Sequence, residues 1–203
     1  MTLPTPVDWR MLTDQEVVRH AVLGREVAYQ ELMRRYQRPV FSLIYRMVRN
    51  RELAEDLTQE TFIKVLGAIE SYRPEYRFSS WIFKIANNAS IDQLRRRALD
   101  TLSLDGSPHA ETPDAIEATS LQIRDATESP LDEVANRELG AQIEEAIGQL
   151  RPEYRSCILL RHVEGRPYEE IAEILDLPLG TVKTYIHRAR NELRILLADL
   201  HEE

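Results

Sequence analysis

The chain has 203 residues, enough for one large or two small domains, and its single cysteine, Cys157, excludes an intrachain disulfide and argues against a cysteine-rich metal site. A net charge of −8 excludes a uniformly basic nucleic-acid binder, while only 7 glycines fit a mostly helical protein. No apolar run approaches the roughly 18 residues of a membrane span, and MTLPTPVDWRM has no secretory apolar core, so the chain reads as soluble and intracellular with a flexible lead at 1–11.

In chain order, Thr13-Asp14-Gln15-Glu16 has capping-box spacing and opens a helix that ends near Gly24. A second helix is expected from about Arg25 to Tyr36. Pro39 suits the start of a third, whose Val40, Leu43, Ile44, Met47 and Val48 recur at core spacing. After a break at Asn50-Arg51, a fourth covers about Glu52 to Ile69. No strand-like alternation or hairpin dipeptide competes with this reading.

The fourth helix pairs Glu55, Asp56, Gln59 and Glu60 along an acidic face, beside an apolar set that includes Leu57, Phe62, Val65 and Leu66. Like charges at i,i+4 disfavour a helix mildly, and a basic partner would relieve that cost. A solvated acidic face fits the residues equally well. The next segment, Tyr72–Arg97, sets Arg73, Arg77, Lys84, Arg95, Arg96 and Arg97 against only Glu75 and Asp92, and interleaves Tyr72, Tyr76, Phe78, Trp81 and Phe83 among them. Aromatic faces stack on unpaired bases, cations hold phosphates, and the amides of Asn87 and Asn88 can read base edges. Part of this aromatic set belongs to a core, since Trp81 and Phe83 cannot share one helix face.

From Ala98 to Ala135 nine acidic residues face one basic residue, Arg124, so the segment alone carries the −8 of the whole chain. With Pro108, Pro113 and Pro130 and no aromatic residue, it reads as a linker, with a short helix considered at Asp114–Arg124. It is either a passive tether or an acidic strand that mimics nucleic acid in a basic channel. Beyond it, YEEIAEILDLPLGTVKTYIHRARNEL from Tyr168 to Leu193 reads as two short helices broken at Asp176–Gly180. Ile171, Ala172, Leu175, Leu177, Val182 and Ile186 pack inside a helix-turn-helix, and Lys183, Thr184, His187, Arg188 and Arg190 point away from it, as a helix entering a major groove requires. The same charges also suit a hairpin with a solvated basic face.

Three pieces in this order resemble the extracytoplasmic-function (ECF) class of bacterial RNA polymerase sigma factors over nearly the full length. They are Glu55-Asp56-Leu57-Thr58-Gln59-Glu60-Thr61-Phe62-Ile63-Lys64-Val65, then Phe78-Ser79-Ser80-Trp81-Ile82-Phe83-Lys84-Ile85-Ala86-Asn87-Asn88, then Tyr168-Glu169-Glu170-Ile171-Ala172 with Gly180-Thr181-Val182-Lys183-Thr184. The resemblance implies an all-α protein of two helical domains, region 2 at 12–97 and region 4 at 136–203, joined by the acidic flexible linker 98–135. It implies docking on the clamp helices of core RNA polymerase through Glu55, Asp56, Gln59, Glu60, Phe62 and Lys64. Capture and melting of the −10 promoter element would fall to Tyr72, Arg77, Trp81, Phe83, Lys84, Asn88, Asp92, Arg95 and Arg96, with a base flipped into a loop before Asn88. The −35 element would be read as duplex by Gly180, Thr181, Lys183, Thr184, His187, Arg188 and Arg190, with helix N-terminal amides near Gly180 holding a phosphate.

Asp92 stands where relatives often carry an amide, and His187 where they often carry a bulkier apolar or aromatic residue, so neither promoter element need match those of well-known relatives. The resemblance also favours the mimic over the tether for the linker, and implies control by an anti-sigma factor in the bacterial cytoplasm or at its membrane. No cofactor or metal is expected: His20, His109, His162, His187 and His201 do not pair at metal-ligand spacing, and His162 reads as a packing or surface residue. A conventional helix-turn-helix regulator would explain 136–203 but not 72–97. An enzyme would need a catalytic cluster or phosphate loop that the sequence lacks.

Overall fold

The computed structural model describes residues 8–103 and 130–199, and among them there are α-helices and no strand. In chain order these are α1 (Asp14–Val22), α2 (Glu26–Val48), α3 (Arg51–Ala68), α4 (Phe78–Ser103), α5 (Pro130–Gln149), α6 (Pro152–Ile158), α7 (Tyr168–Leu175) and α8 (Leu179–Asp199). The first four pack as one unit and the last four as a second. The considered helix Asp114–Arg124 and most of the expected linker lie outside the described residues. At the linker's two ends, α4 runs on to Ser103 and α5 begins at Pro130, so both expected boundaries, 98 and 135, fall inside helices.

The α1 start is the expected capping box: Glu16 N donates to Thr13 Oγ1 at 3.4 Å and Thr13 N donates to Glu16 Oε2 at 2.7 Å. Within the expected lead, Trp9 is held by α1 and α2. Arg35 donates to the carbonyls of Trp9 and Leu12, both at 2.8 Å, and Trp9 packs edge-on against His20. The same guanidinium pairs with Asp14 and Glu31 at 2.7 Å each. Glu31 is nearly buried, and hydrogen bonds from Arg34 and then Arg35 hold its carboxyl down to about 2. Its folded value lies below the roughly 4.3 of an unfolded glutamate, so its contribution is whole above that pH and is lost as pH falls toward 2. Glu31→Gln should therefore flatten the acid limb of a urea-midpoint-versus-pH profile between about 4.3 and 2. An unchanged slope would remove Glu31 from the acid sensitivity.

Where two helices were expected around Pro39, α2 is continuous. Proline lacks the amide that would bond the carbonyl four residues back, and this normally breaks a helix. Here Leu32, Tyr36, Val40, Leu43, Ile44 and Met47 form one buried stripe on both sides of Pro39, so packing carries the axis across it. The helix stops at Arg49, which takes the left-handed conformation at φ 54°, and Asn50 caps α3 by accepting from Leu53 N at 2.8 Å.

In the second unit, Pro152 opens α6, which passes into one wide turn at Leu159–Val163 before α7. Cys157 is fully buried, and burial pushes its thiol up to about 12, which suits a packing residue and not a redox switch. Arg155 is buried with its charge. It donates to the carbonyls of Ile147, Gly148 and Leu150 at the end of α5, and to Met47 at the end of α2. Four carbonyls at two helix ends thus share one cation, and that of Ile147 also accepts the Leu150 amide at 3.2 Å.

Candidate nucleic-acid interface

The helix-turn-helix is built as its apolar spacing requires. Ile171, Ile174, Val182, Ile186 and Ala189 are buried between α7 and α8, with Ala172, Leu175 and Leu177 half-buried around them. The sharp backbone turn falls at Asp176, left-handed at φ 57°, and the Leu177 amide closes the end of α7 on Ala172 O at 3.0 Å. The amides of Thr181 and Val182 are already bonded to Pro178 O at 2.9 and 3.1 Å, so the first turn of α8 is capped within the chain.

Lys183, Thr184, His187, Arg188 and Arg190 are all exposed on α8. Thr184 donates its hydroxyl to Gly180 O at 2.9 Å, which leaves its lone pairs outward. Asn191 lies 3.2 Å from His187, and Arg190 lies 3.2 Å from His162 Nε2. Partial burial, then Arg190 and Arg161, hold the His162 imidazole below its ordinary value, which suits an acceptor for Arg190. The Tyr154 hydroxyl holds the Arg188 guanidinium above its own ordinary value.

On the first unit, α4 divides the aromatic-basic segment by helix face. Phe78 and Phe83 are buried at 1% and 0% exposure, so Phe83, expected among the −10 contacts, is a core residue whose ring is unavailable to a base. A step of two residues rotates about 200° around a helix, and this places Phe83 opposite Trp81. The outward stripe runs through Trp81, Lys84, Asn88, Asp92 and Arg95, with Arg96 beside it. Asn87 is buried while Asn88 is exposed. Before α4, Tyr72 packs tilted against Trp81 at 5.4 Å and edge-on against Phe78 at 5.8 Å, and donates its hydroxyl to Tyr76 O at 2.7 Å. The loop Tyr72–Tyr76 lines a shallow, open hollow of about 350 Å³.

On α3 the expected acidic face is outward: Glu55, Asp56, Gln59, Glu60 and Lys64 are exposed. Arg51 and Lys64 partly neutralise Glu55 and Glu60 at 3.1 and 2.7 Å. Phe62, expected on this face, is a correction: it is buried among the α2–α4 core. The apolar side chain on the acidic face is Ile63, 70% exposed, which the sequence reading passed over. The signal was present, since Ile63 lies seven residues from Asp56, two helical turns along the same side. No group of His, Cys, Asp and Glu among the described residues is placed to hold a metal ion, and none of their helices is long and apolar enough to cross a membrane.

Two helical units with exposed basic faces, one carrying a helix-turn-helix, define an all-α DNA-binding protein. Residues 32–99 match the family model of Sigma-70 region 2, and residues 140–193 match that of Sigma-70 region 4. The chain is 34% identical over 183 residues to the ECF RNA polymerase sigma factor SigW of Bacillus subtilis, covering 90% of this chain and 96% of that one. It is 36% identical over 184 residues to the ECF RNA polymerase sigma-E factor of Haemophilus influenzae, covering 88% and 92%. The chain belongs to the ECF class of RNA polymerase sigma factors, which are transcription initiation factors. Its fold is shared with CnrH, solved with the cytosolic domain of CnrY (TM-score 0.66, 23% identity, 92% and 97% covered). It is shared too with the sigma factor RpoE of Bartonella quintana, solved with the anti-sigma factor NepR (TM-score 0.62, 24% identity, 84% and 96% covered).

Proposed function

We propose that this sigma factor works through three separate surfaces. The acidic face of α3 docks on core polymerase, through Glu55, Asp56, Gln59, Glu60, Ile63 and Lys64. The Tyr72–Tyr76 hollow and the α4 stripe from Trp81 to Arg96 take the opened −10 strand, with stacking and backbone cations offsetting the few kcal/mol of unstacking that base flipping costs. The outward residues of α8, Lys183, Thr184, His187, Arg188 and Arg190, read the −35 duplex. The division at 12–97 and 136–203 belongs to this reading, with the acidic segment between them following the template's path through polymerase. The chain acts as a binding subunit and not as an enzyme. It works in the bacterial cytoplasm, and an anti-sigma factor, as for RpoE of Bartonella quintana, holds it in reserve.

The observation that carries this reading is that one chain exposes both a stacking-and-cation surface suited to unpaired strand and a basic helix-turn-helix suited to duplex. Core polymerase with this protein should start transcripts at a −35/−10 promoter that core alone ignores. The absence of any promoter-dependent transcript from a genomic promoter library would overturn it. Within that assay, Arg188→Ala should weaken promoter binding about tenfold and reduce the salt slope by about one, while core binding is unchanged. Lost core binding would refute the separation of surfaces.

A further inference from the structure

We infer that Arg194 and Asn191 of α8 fix the proton of the His187 ring on Nδ1, so that His187 offers the −35 duplex a donor and selects against cytosine. The placement of the proton follows from the chain alone. Its consequence for DNA rests on the −35 assignment above.

His187, Asn191 and Arg194 lie at i, i+4 and i+7 on α8, one row along the helix surface. Arg194 Nη2 donates to Asn191 Oδ1, and Asn191 Nδ2 lies 3.2 Å from His187 Nε2. The far end of the row sets its polarity. A guanidinium has donors and no acceptor, so the Asn191 atom beside it must be the carbonyl oxygen. The amide nitrogen, which only donates, is therefore the atom turned to His187. His187 Nε2 must then accept, and in a neutral imidazole the accepting nitrogen leaves the proton on the other. What remains is Nδ1–H, on an exposed ring, with no hydrogen bond of its own among the described residues. A solvated histidine prefers the opposite form, with the proton on Nε2, so the row imposes a choice that histidine alone would not make.

In the major groove that choice decides which bases are accepted. Guanine presents N7 and O6, adenine N7 and thymine O4, all acceptors, whereas cytosine presents only the N4 amino donor. A donor on His187 can bond the first three and meets cytosine donor to donor. The same row occupies Asn191. An asparagine on a reading helix otherwise grips adenine with its oxygen and nitrogen together. Here Oδ1 and Nδ2 are engaged along the helix instead. Asn191 and Arg194 are thus positioning residues, and the contact to DNA is made by His187. A phosphate oxygen is also an acceptor, but a contact there would carry no sequence preference.

The test has two arms, both on the full chain. At about pH 8, where an ordinary imidazole is neutral, long-range nitrogen–proton correlation spectra of the free protein show which ring nitrogen carries the proton. The His187 signals are assigned by their loss in His187→Gln. Wild type should give the Nδ1–H form, and Asn191→Leu should revert to Nε2–H. Arg194→Met, which frees the amide to turn over, should move part of the way. In the second arm, holoenzyme assembled with core polymerase selects from promoter duplexes with a randomised −35 element. One position should disfavour cytosine about fivefold, the lower end of what a base contact gives. Asn191→Leu should erase that preference and leave those at the other positions in place. A wild-type ring protonated on Nε2 overturns the inference. So does discrimination against cytosine that survives Asn191→Leu, or a loss of affinity in that variant uniform over all sequences, which marks a phosphate contact or a merely structural role. No selection at any −35 position, with the proton on Nδ1, would instead sink the −35 assignment and leave the row standing.

Discussion

Arg155→Met should destabilise the protein by roughly 3–5 kcal/mol, since buried carbonyls left without a donor cost about 1–3 kcal/mol each. Methionine fills a similar length without charge, so the loss is not a simple cavity effect. What remains are the carbonyls of Ile147, Gly148, Leu150 and Met47 at the ends of α5 and α2, in a place that water does not freely reach. Burial, and then the neighbouring Arg49, push Arg155 down to about 10, which still leaves it charged at neutral pH. The folded value lies below the ordinary guanidinium value, so this penalty is present in full at pH 7 and shrinks only as pH rises above about 10. A chain of this size loses about 2–4 °C of melting temperature per kcal/mol, so a drop on the order of 10 °C is expected. Arg155→Lys, which keeps the charge but not the fork of donors, should fall between the two. A Met variant melting within about 2 °C of wild type would show that water replaces the guanidinium there at little cost.

Arg155 also marks the limit of what the sequence discloses. Flanked by Tyr154 and Ser156, it has no periodic signature that separates it from a solvated arginine. Its partners are backbone carbonyls, and these leave no trace in residue identity. The capping box at Thr13 was legible because both partners are side chains at fixed spacing. The apolar stripes of α2 and of the helix-turn-helix were legible because burial imposes a 3.6-residue period on residue type. Pro39 misled because its local penalty is real, but a stripe running from Leu32 to Met47 outweighs it. Phe62 and Phe83 were placed outward because motif matching names positions without assigning helix faces, and one residue of rotation exchanges Phe62 for Ile63. The contact of Glu170 with Ser80, at 3.2 Å, was invisible for another reason. Two contacting residues ninety positions apart are related only by the fold.

The exposed face of α3 yields the second large effect, which is on assembly and not on stability. Asp56→Arg should reduce association with core polymerase by at least about a hundredfold, while the thermal melt moves little. Asp56 is exposed and makes no ion pair among the described residues, so its replacement strands no partner inside the chain. Surface substitutions of this kind stay within about 0.5 kcal/mol of neutral for folding. Docking on a basic surface is different, because reversing the charge turns an attraction into a like-charge contact that costs several kcal/mol in an interface. Ile63 tests the apolar half of the same surface. Its 70% exposure is surface that a partner removes from water, worth about 1.5–3 kcal/mol for a full isoleucine, so Ile63→Ser should weaken core binding by about ten- to a hundredfold. The two should differ in salt response: association of the Ile63 variant keeps the wild-type ionic-strength dependence, whereas the Asp56 variant loses it. Competition with a labelled reference sigma factor for core at low and high salt measures both. If Asp56→Arg competes as well as wild type, α3 is a solvated acidic face and the docking surface lies elsewhere.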